Sequence, residues 1–288
     1  MIHKPRIDIL LATYNGQAYL KDQIDSILAQ SCQDWQLLIR DDGSIDDTIN
    51  VIEDYQRQYP DKIKIITDSV NHLGAKLNFG ELLKHTQSDY IMFCDQDDVW
   101  LPQKIDVTLN AMRMAEKSYP NKPIMVHSDS IVVNANLKKI ADSKWAYEKI
   151  WPRKDDDLNR IVLQNVATGC TIMINRKAKN VSLPIPKDAI MHDWWIALKV
   201  AEHGKIIYTP DKLVLYRQHS NNLVGAKEAT KWNIRAFLGR LVSLKQRIMN
   251  YYKMVKVHDP HIRLWQVVLK KVLHKIAQKC RAIYWLIC

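Results

Sequence analysis

The chain has 288 residues, of which 47% are apolar, and this suits one large domain, or a domain of about 200 residues with an appendage, around a sizeable core. The chain has no run of about 18 uncharged apolar residues, which excludes a membrane-spanning helix, and its first residues lack the cleavage site of a signal peptide. The formal net charge is +11, but residues 1–225 are nearly neutral, so the basic character belongs to the C-terminal fifth alone.

Short apolar runs alternate with amphipathic helical patterns over the first hundred residues. Strands are predicted at residues 6–12, 35–40, 63–66 and 89–94, and helices at 19–29, from 46 onward and at 75–85. Strands that alternate with helices are joined by right-handed crossovers, which place helices on both faces of the sheet. The sequence therefore predicts an α/β fold with a mostly parallel sheet.

Beyond Pro102 the apolar pattern continues in shorter segments. It predicts helices from 102 to about 118, at 158–166 and at 193–203, and strands at 124–127, 131–134, 170–174, 205–208 and 213–216. The polar segment 138–157 is predicted to be a loop or an excursion from the core.

Residues 226–288 form a basic extension that is purely helical in pattern from Lys231 onward. They contain 14 Lys or Arg and two acidic residues, and apolar side chains recur at three- and four-residue steps between Trp265 and Ile287. Such helices suit an anionic membrane surface, which is the interpretation we favour. An extension that packs on the rest of the chain, or on a second copy in a homodimer, has the same pattern. No recognition motif accompanies the charge, so we expect no nucleic-acid partner.

The five cysteines form neither a C-x-x-C pair nor a metal-binding pattern with histidine. They are widely spaced and odd in number: Cys32, Cys94, Cys170, Cys280 and Cys288. We therefore expect reduced thiols in a cytoplasmic protein.

Polar clusters follow three of the predicted strands. They are Thr13-Tyr14-Asn15, Asp41-Asp42-Gly43-Ser44 and Asp95-Gln96-Asp97-Asp98. Ligands of open α/β sheets bind beyond the carboxyl ends of the strands, so these clusters predict the binding site.

The cluster at 95–98 places three carboxylates within four residues. Their mutual repulsion predicts a positive partner, and oxygen ligands on a loop suit Mg²⁺ or Mn²⁺. A solvated acidic turn that caps the following helix explains the same residues. Similarly, Asp41 and Asp42 are either caps of a helix-entry turn or acceptors for the ring N–H of a pyrimidine.

Four motifs, in this order and spacing, resemble family 2 glycosyltransferases of the GT-A fold. They are Thr13-Tyr14-Asn15-Gly16, the segment ILAQSCQDWQLLI at 27–39, Asp41-Asp42-Gly43-Ser44, and Asp95-Gln96-Asp97-Asp98 followed by Trp100, Pro102 and Lys104. The resemblance covers roughly residues 5–225. It implies a Rossmann-like GT-A domain, with a nucleotide-binding half at about 1–100 and an acceptor half at 101–225, followed by the helical extension at 226–288.

The resemblance also implies an activity, namely inverting transfer of a sugar from a nucleotide diphosphate donor with a divalent metal on the diphosphate. By that similarity, Asp97 is the principal metal ligand, and His219 completes the metal shell as in some relatives. A polar surface residue on a loop explains His219 as well. The residues expected to contact the nucleotide or the donor are Thr13, Tyr14, Asn15, Asp41, Asp42, Asn71, Lys76, Asp95, Gln96 and Arg217.

An inverting transferase needs one general base to deprotonate the acceptor hydroxyl. His192-Asp193-Trp194-Trp195 is similar to the acceptor-site motif of the family, with Asp193 in the position of the base and histidine in place of the usual glutamate. Asp193 also suits a helix N-cap. His192, Trp194 and Trp195 are expected at the acceptor, although the tryptophans suit a core equally well.

The motifs D-Q-D-D-x-W-x-P, H-D-W-W and Y-R-Q-H-x-x-N look most like bacterial rhamnosyltransferases. These use dTDP-L-rhamnose to build surface polysaccharides, often on lipid-linked saccharide acceptors, which would place this chain on the cytoplasmic face of the plasma membrane. The alternatives are a UDP-hexose donor, a sugar-phosphate nucleotidyltransferase, for which the phosphate loop is missing, and an inactive scaffold related to the family.

Overall fold

The computed structural model describes residues 7–153 and 158–220, together with 222, 226, 249, 252–257 and 263. Within these residues, one sheet consists of β1 (Ile7–Thr13), β2 (Trp35–Asp41), β3 (Ile63–Ile65), β4 (Tyr90–Cys94), β5 (Val99–Trp100), β6 (Ile124–Asn134), β7 (Lys139–Ala141), β8 (Ile172–Asn175) and β9 (Lys205–Gln218). The helices are α1 (Gln17–Leu28), α2 (Thr48–Gln58), α3 (Ala75–His85), α4 (Lys104–Ser118), α5 (Lys144–Glu148), α6 (Leu158–Leu163), α7 (Arg176–Ser182) and α8 (His192–His203).

The strands lie in the order β3-β2-β1-β4-β8-β6-β9-β5, and β7 pairs with β6. The first four strands are parallel, as the alternation of strands and helices predicts. Strand β8 is antiparallel to both β4 and β6, while β9 runs parallel to β6 and antiparallel to β5. The predicted α/β fold is confirmed, and its sheet is parallel in the first half and mixed in the second.

Both faces of the sheet are buried, because side chains along a strand point alternately to opposite sides. In β1, Leu10 belongs to one core, which contains Phe79, Phe93 and residues of α8. Its neighbours Ile9 and Leu11 belong to the other core, with Trp35 and Trp100. This double burial explains why the strands read as nearly continuous apolar runs.

Two long strands replace four predicted short ones. β6 and β9 each run through a polar stretch that the sequence pattern marks as a break, and their register shifts at Ser128, Asp129 and Ile131. Such irregularities let a strand pair continue past polar residues. The predicted excursion at 138–157 contains β7 and α5, and the sequence pattern also did not predict β5 or α7.

The first strand contains one buried acid, Asp8, which fixes its position against the start of β4. The Asp8 carboxylate accepts hydrogen bonds from the Gln87 and Ser88 amides at 2.7 and 2.9 Å, and from the Ser88 hydroxyl at 2.8 Å. These bonds satisfy a buried carboxylate and two backbone donors together. They set the register that places the carboxyl ends of β1 and β4 side by side.

Residues 252–257 are helical and pack on the core that contains α8. Met254 and Val255 are buried in the core that contains α8, and the Met254 sulfur lies 3.4 Å from the Ile190 amide nitrogen, which donates to it. The rest of the predicted extension lies outside the described residues, and the domain boundary at 225 stays a prediction. No helix among the described residues is long and apolar enough to cross a membrane.

Candidate active site

Three loops meet at the carboxyl ends of β1, β2 and β4, which are adjacent parallel strands. The Gln96 amide joins two of the loops, since it accepts from the Tyr14 N–H at 2.8 Å and donates to the Tyr14 carbonyl at 3.0 Å. The Thr13 hydroxyl connects the end of β1 to the third loop, which follows β2, because it donates to the Asp41 carboxylate at 2.9 Å. The structure therefore brings together the three polar clusters of the sequence.

Asp41 and Asp42 both organise the loops that carry them. The Asp41 carboxylate accepts from the Gly43 amide, the Ser44 amide and the Ser44 hydroxyl. Asp42 is buried beside Arg40 and accepts from the Leu73 and Gly74 amides at 2.9 and 2.8 Å. Asp41 is the more exposed of the two. The contact of either carboxylate with a nucleoside stays a prediction.

The loop around Tyr14 and Asn15 offers an aromatic and a polar surface. The Tyr14 ring is 48% exposed and meets the His72 ring edge-on at 6.1 Å. Asn15 has a left-handed backbone, with φ of 48°, and its amide side chain accepts from the Ile45 N–H at 2.9 Å. Asn71 is exposed next to Gly43. The contact of Tyr14, Asn15 and Asn71 with a nucleoside stays a prediction.

Lys76 and Arg217 donate to protein acceptors in this structure. The Lys76 ammonium donates to the Ala189 carbonyl at 2.7 Å and to the Lys187 carbonyl, in the segment that precedes α8. The Arg217 guanidinium donates to the Asp97 carbonyl at 2.7 Å, the Ala135 carbonyl at 2.8 Å and the Asp22 carboxylate at 2.7 Å. A contact of either cation with a diphosphate would require some of these bonds to exchange.

Asp97 and His219 form a direct pair although they are 122 positions apart in the chain. The His219 Nε2 atom lies 2.8 Å from the Asp97 Oδ2 atom, and the Asn222 amide donates to the same oxygen at 3.1 Å. The His219 ring stacks at 4.6 Å on Tyr19, which holds it at the rim of the cleft. Two adjacent ligands of one octahedral Mg²⁺ or Mn²⁺ ion lie about 3 Å apart, so this pair fits the predicted metal site.

Asp98 is more deeply buried than Asp97, and a backbone hydrogen bond holds its carboxyl group. Its Oδ1 atom accepts from the Arg217 amide at 2.9 Å, and Oδ2 has no hydrogen-bond partner among the described residues. Burial raises the pKa of Asp98 well above its usual range, and the charges of Asp97 and Asp95 add to the shift. Lys104 is buried nearby with its ammonium 4.1 Å from the centre of the Trp100 ring, and burial lowers its pKa to about 8.

Asp95 lies near enough to both Asp97 and Asp193 for their charges to act on it. Burial raises its pKa to about 7, and the negative charges of Asp97 and Asp193 act in the same direction. Ligand atoms of Asp95, Asp98 and Cys170 all lie within 4.8 Å of one another. Burial raises the pKa of the Cys170 thiol well above its ordinary value. A protonated thiol is a poor ligand for a hard cation, so Asp97 and His219 fit such an ion better.

Asp193 occupies the first turn of α8, and Met191 is the N-cap of that helix. The Asp193 carboxylate accepts from the Gly169 amide at 3.0 Å and from the Trp194 amide at 2.6 Å. Burial raises the pKa of Asp193 to about 6. A partly buried carboxylate with this pKa is a competent proton acceptor near neutral pH.

The side chains that flank Asp193 lie in the core rather than on an open acceptor surface. His192 is 2% exposed and packs between Phe79 and Phe93, with ring centroids 4.0 and 5.4 Å away, and burial lowers its pKa to about 3. Trp194 and Trp195 donate their indole N–H groups to the Ile161 and Ser182 carbonyls at 2.7 and 2.9 Å. Acceptor contact through His192 or Trp195 would require this core to open. The contact of His192, Trp194 or Trp195 with an acceptor stays a prediction.

Sequence reasoning did not assign four residues that complete the site. Tyr19 and Asp22 of α1 contact Arg217, Asn222 contacts Asp97, and Lys144 of α5 lies behind Asp193. Asn222 was part of a recognised motif and could have been found from it. Lys144 lies in the segment predicted to be a loop, and no pattern marked it.

A family model described as Glycosyl transferase family 2 matches residues 8–181. The dTDP-rhamnosyl transferase RfbG of Shigella flexneri is 29% identical over 236 residues, which are 77% of this chain and 75% of that protein. The uncharacterized glycosyltransferase alr2836 of Nostoc sp. is 30% identical over 233 residues, 78% of this chain and 69% of that protein.

Two solved structures have a similar fold. Staphylococcus aureus TarS 1–349 in complex with UDP has a TM-score of 0.60 at 13% identity, over 94% of this chain and 72% of that chain. The mannosyltransferase PcManGT of Pyrobaculum calidifontis, in complex with GDP-Man and Mn²⁺, has a TM-score of 0.58 at 16% identity, over 88% of this chain and 65% of that chain. The predicted GT-A fold is confirmed.

We predict that Arg217→Met lowers the free energy of unfolding by about 3 kcal/mol, because it leaves buried acceptors without their donor. Arg217→Lys should not restore stability, since one ammonium cannot replace a planar guanidinium that donates to three acceptors in different directions. Arg57→Met is the matched control, because Arg57 is exposed and its ion pair within the described residues is with Asp54 of its own helix, and it should cost less than about 1 kcal/mol. Urea denaturation measures all three, and equal losses for Arg217→Met and Arg57→Met would contradict the prediction.

Proposed function

Because this chain belongs to glycosyl transferase family 2, we propose that it moves L-rhamnose from dTDP-rhamnose onto a saccharide or lipid-linked saccharide acceptor, with inversion and with a divalent metal. The observation that carries this proposal is the cleft that holds the Asp97–His219 pair on one side and Asp193 on the other, with Asp95 between them. The similarity to RfbG supports the choice of rhamnose. Synthesis of bacterial surface polysaccharide is the process that this reaction would serve.

On the donor side, the proposed nucleoside site is the surface formed by Thr13, Tyr14, Asn15 and Asp41. The exposed Tyr14 ring supplies a stacking face for a planar base. The partly exposed Asp41 carboxylate supplies an acceptor for a ring N–H, and Asn71 lies next to its loop. The neighbouring structures bind UDP and GDP-Man, which are ligands of the same chemical class.

Asp97 and His219 would hold Mg²⁺ or Mn²⁺ on the diphosphate. The ion would supply positive charge to the leaving diphosphate as the bond to the sugar breaks. The His219 Nε2 and Asp97 Oδ2 atoms lie 2.8 Å apart and share a hydrogen bond, which the ion would replace. Arg217 positions this pair, since it donates to the Asp97 carbonyl and precedes His219 by two residues.

On the acceptor side, Asp193 is the proposed general base. The acceptor oxygen forms a bond to the anomeric carbon while the bond from that carbon to the diphosphate oxygen breaks. The hydroxyl proton passes to the Asp193 carboxylate, and the electron pair of the broken bond leaves with the diphosphate. The raised pKa of Asp193 makes its carboxylate a stronger base than a solvent-exposed aspartate.

We further propose that residues 226–288 attach the protein to the inner face of the plasma membrane. Support comes from the 14 basic residues against two acidic ones and from the amphipathic spacing of that segment. Each basic residue near an anionic surface contributes about 1 kcal/mol of attraction. Met254 and Val255 are already buried against the core, so the segment around 252–257 uses its apolar face for packing.

A donor screen tests the proposed reaction. dTDP-rhamnose, UDP-glucose and UDP-galactose are incubated with the protein and Mn²⁺ or Mg²⁺, and the released nucleoside diphosphate is measured with and without a chelator. We expect turnover with dTDP-rhamnose that the chelator removes. If only a UDP-sugar is turned over, the rhamnosyl assignment is wrong and the transferase assignment remains. No release from any donor would favour an inactive scaffold.

The metal site is tested by calorimetric titration of Mn²⁺ in the presence of dTDP. We expect Asp97→Ala to abolish measurable binding, and His219→Ala to weaken it by about tenfold or more, because each variant removes a ligand. Asp61→Ala and His203→Ala are the matched controls, since both residues are exposed on the surface, and neither should change the affinity. Unchanged affinity in Asp97→Ala would refute the assignment.

The base assignment is tested with Asp193→Asn. Transfer should fall by about 10³-fold, while the affinity for the donor stays the same and the melting temperature does not decrease. In the unmodified protein, kcat/KM should fall as the pH decreases through about 6, because protonation of Asp193 removes the base. Asp188→Asn, a change of an exposed residue in the preceding segment, serves as the control. Full activity in Asp193→Asn would exclude it as the base.

A further inference from the structure

Lys144 is a buried cation behind the proposed base. Its ammonium donates to the Glu148 carboxylate at 2.7 Å and to the Thr168 hydroxyl at 3.1 Å, and lies 5.0 Å from the centre of the Tyr216 ring. The Lys144 side chain is 8% exposed. A lysine this deeply buried is uncommon unless its charge is paired, and Glu148 provides that pairing.

The position of Lys144 is fixed by the strand beneath it. Ser143 is the N-cap of α5, with its hydroxyl oxygen accepting from the Ala146 amide. The Ser143 hydroxyl in turn donates to Asp129 of β6, which also accepts from the Trp145 amide at 3.2 Å. These bonds attach the residues on both sides of Lys144 to the sheet, and the bonds to Glu148 and Thr168 hold the ammonium itself.

A short chain of contacts connects Lys144 to Asp193. Lys144 binds the Thr168 side chain, and the next residue, Gly169, donates its amide to the Asp193 carboxylate at 3.0 Å. A Cβ atom at Gly169 would lie 3.0 Å from His192 Nε2, so the backbone packs directly against the start of α8. The lysine thereby fixes the position of one of the donors that orient the base, beside the Trp194 amide.

We propose that Lys144 is a positioning residue for sugar transfer: its buried charge and its bond to Thr168 keep Asp193 ionised and aimed at the acceptor hydroxyl. This inference rests on the proposed function of Asp193 as the base. Lys144 does not contact the reacting atoms, since Thr168 and Gly169 stand between it and the carboxylate. Its effect is therefore exerted through electrostatics and through the position of the Gly169 amide.

Among the described residues, Lys144 is a cation whose charge acts on Asp193. Burial raises the pKa of Asp193, and the Lys144 charge lowers it, while Asp95 is the neighbouring anion and His192 is neutral at physiological pH. Cations on the helices packed against α8 donate elsewhere: Lys76 to Ala189, Arg160 to Trp151 and Lys179 to Thr86.

Neutralising Glu148 should change the pKa of Asp193 in the direction opposite to neutralising Lys144. The Glu148 carboxylate offsets part of the Lys144 charge, so neutralising Glu148 should strengthen the field of Lys144 at Asp193. Neutralising Lys144 should weaken that field. The two residues are four positions apart on the same short helix, which makes them a matched pair.

The experiment measures the pKa of Asp193 directly by ¹³C NMR of carboxyl-labelled aspartate, with Asp193→Asn to assign the signal. Lys144→Gln removes the charge but keeps a hydrogen-bonding amide, and should raise the pKa of Asp193 by about one unit. Lys144→Arg keeps the charge and should leave that pKa within a few tenths of the unmodified value. Glu148→Gln should lower it. The acid limb of kcat/KM should move in the same directions.

An unchanged pKa of Asp193 in Lys144→Gln, or an equal rise in Lys144→Arg, overturns the proposal. If Lys144→Gln does not fold, Glu148→Gln decides, and an unchanged or raised pKa in that variant overturns it. The NMR titration needs no substrate. Shifts in the expected directions without any turnover would show that the proposed function fails while the electrostatic coupling of Lys144 and Asp193 holds.

Discussion

The mutual repulsion of Asp95, Asp97 and Asp98 is the constraint on which the rest of the site depends. The structure separates the three carboxylates into different surroundings. Asp97 contacts His219 and Asn222, Asp98 is buried and accepts from the Arg217 amide, and Asp95 lies within the electrostatic reach of Asp193. Arg217 lies at the end of β9, and His219 and Asn222 lie just beyond it. The site therefore requires the end of β9 to lie close to the end of β4.

The first half of the fold and the location of the site could be predicted from the sequence. Apolar runs followed by polar clusters are local patterns, and in a parallel sheet they place strand ends at one edge. The second half could not be predicted as well. β6 and β9 pass through polar residues because each pairs with the other along its length, and this pairing is not visible in either segment alone.

The chemical character of the site residues was less predictable than their location. The motif around 193 identifies an aspartate, but its pKa of about 6 comes from burial that distant segments create. The same burial removes His192 from the solvent, although the motif alone suggests an acceptor contact. Lys144 illustrates the limit, because a short capped helix in a polar segment has no periodicity long enough to detect.

The pairing of strand β5 determines when the candidate site can form during synthesis of the chain. The acidic loop at 95–98 lies between β4 and β5. Among the described strands, Val99 and Trp100 of β5 pair only with Leu215 and Val214 of β9, so β5 has no partner strand until β9 has left the ribosome. At common rates of translation, that interval is roughly 6 to 24 s. During this time the nascent chain presents three adjacent carboxylates to solvent. The candidate site is therefore completed late in synthesis, even though most of its acidic residues are translated early.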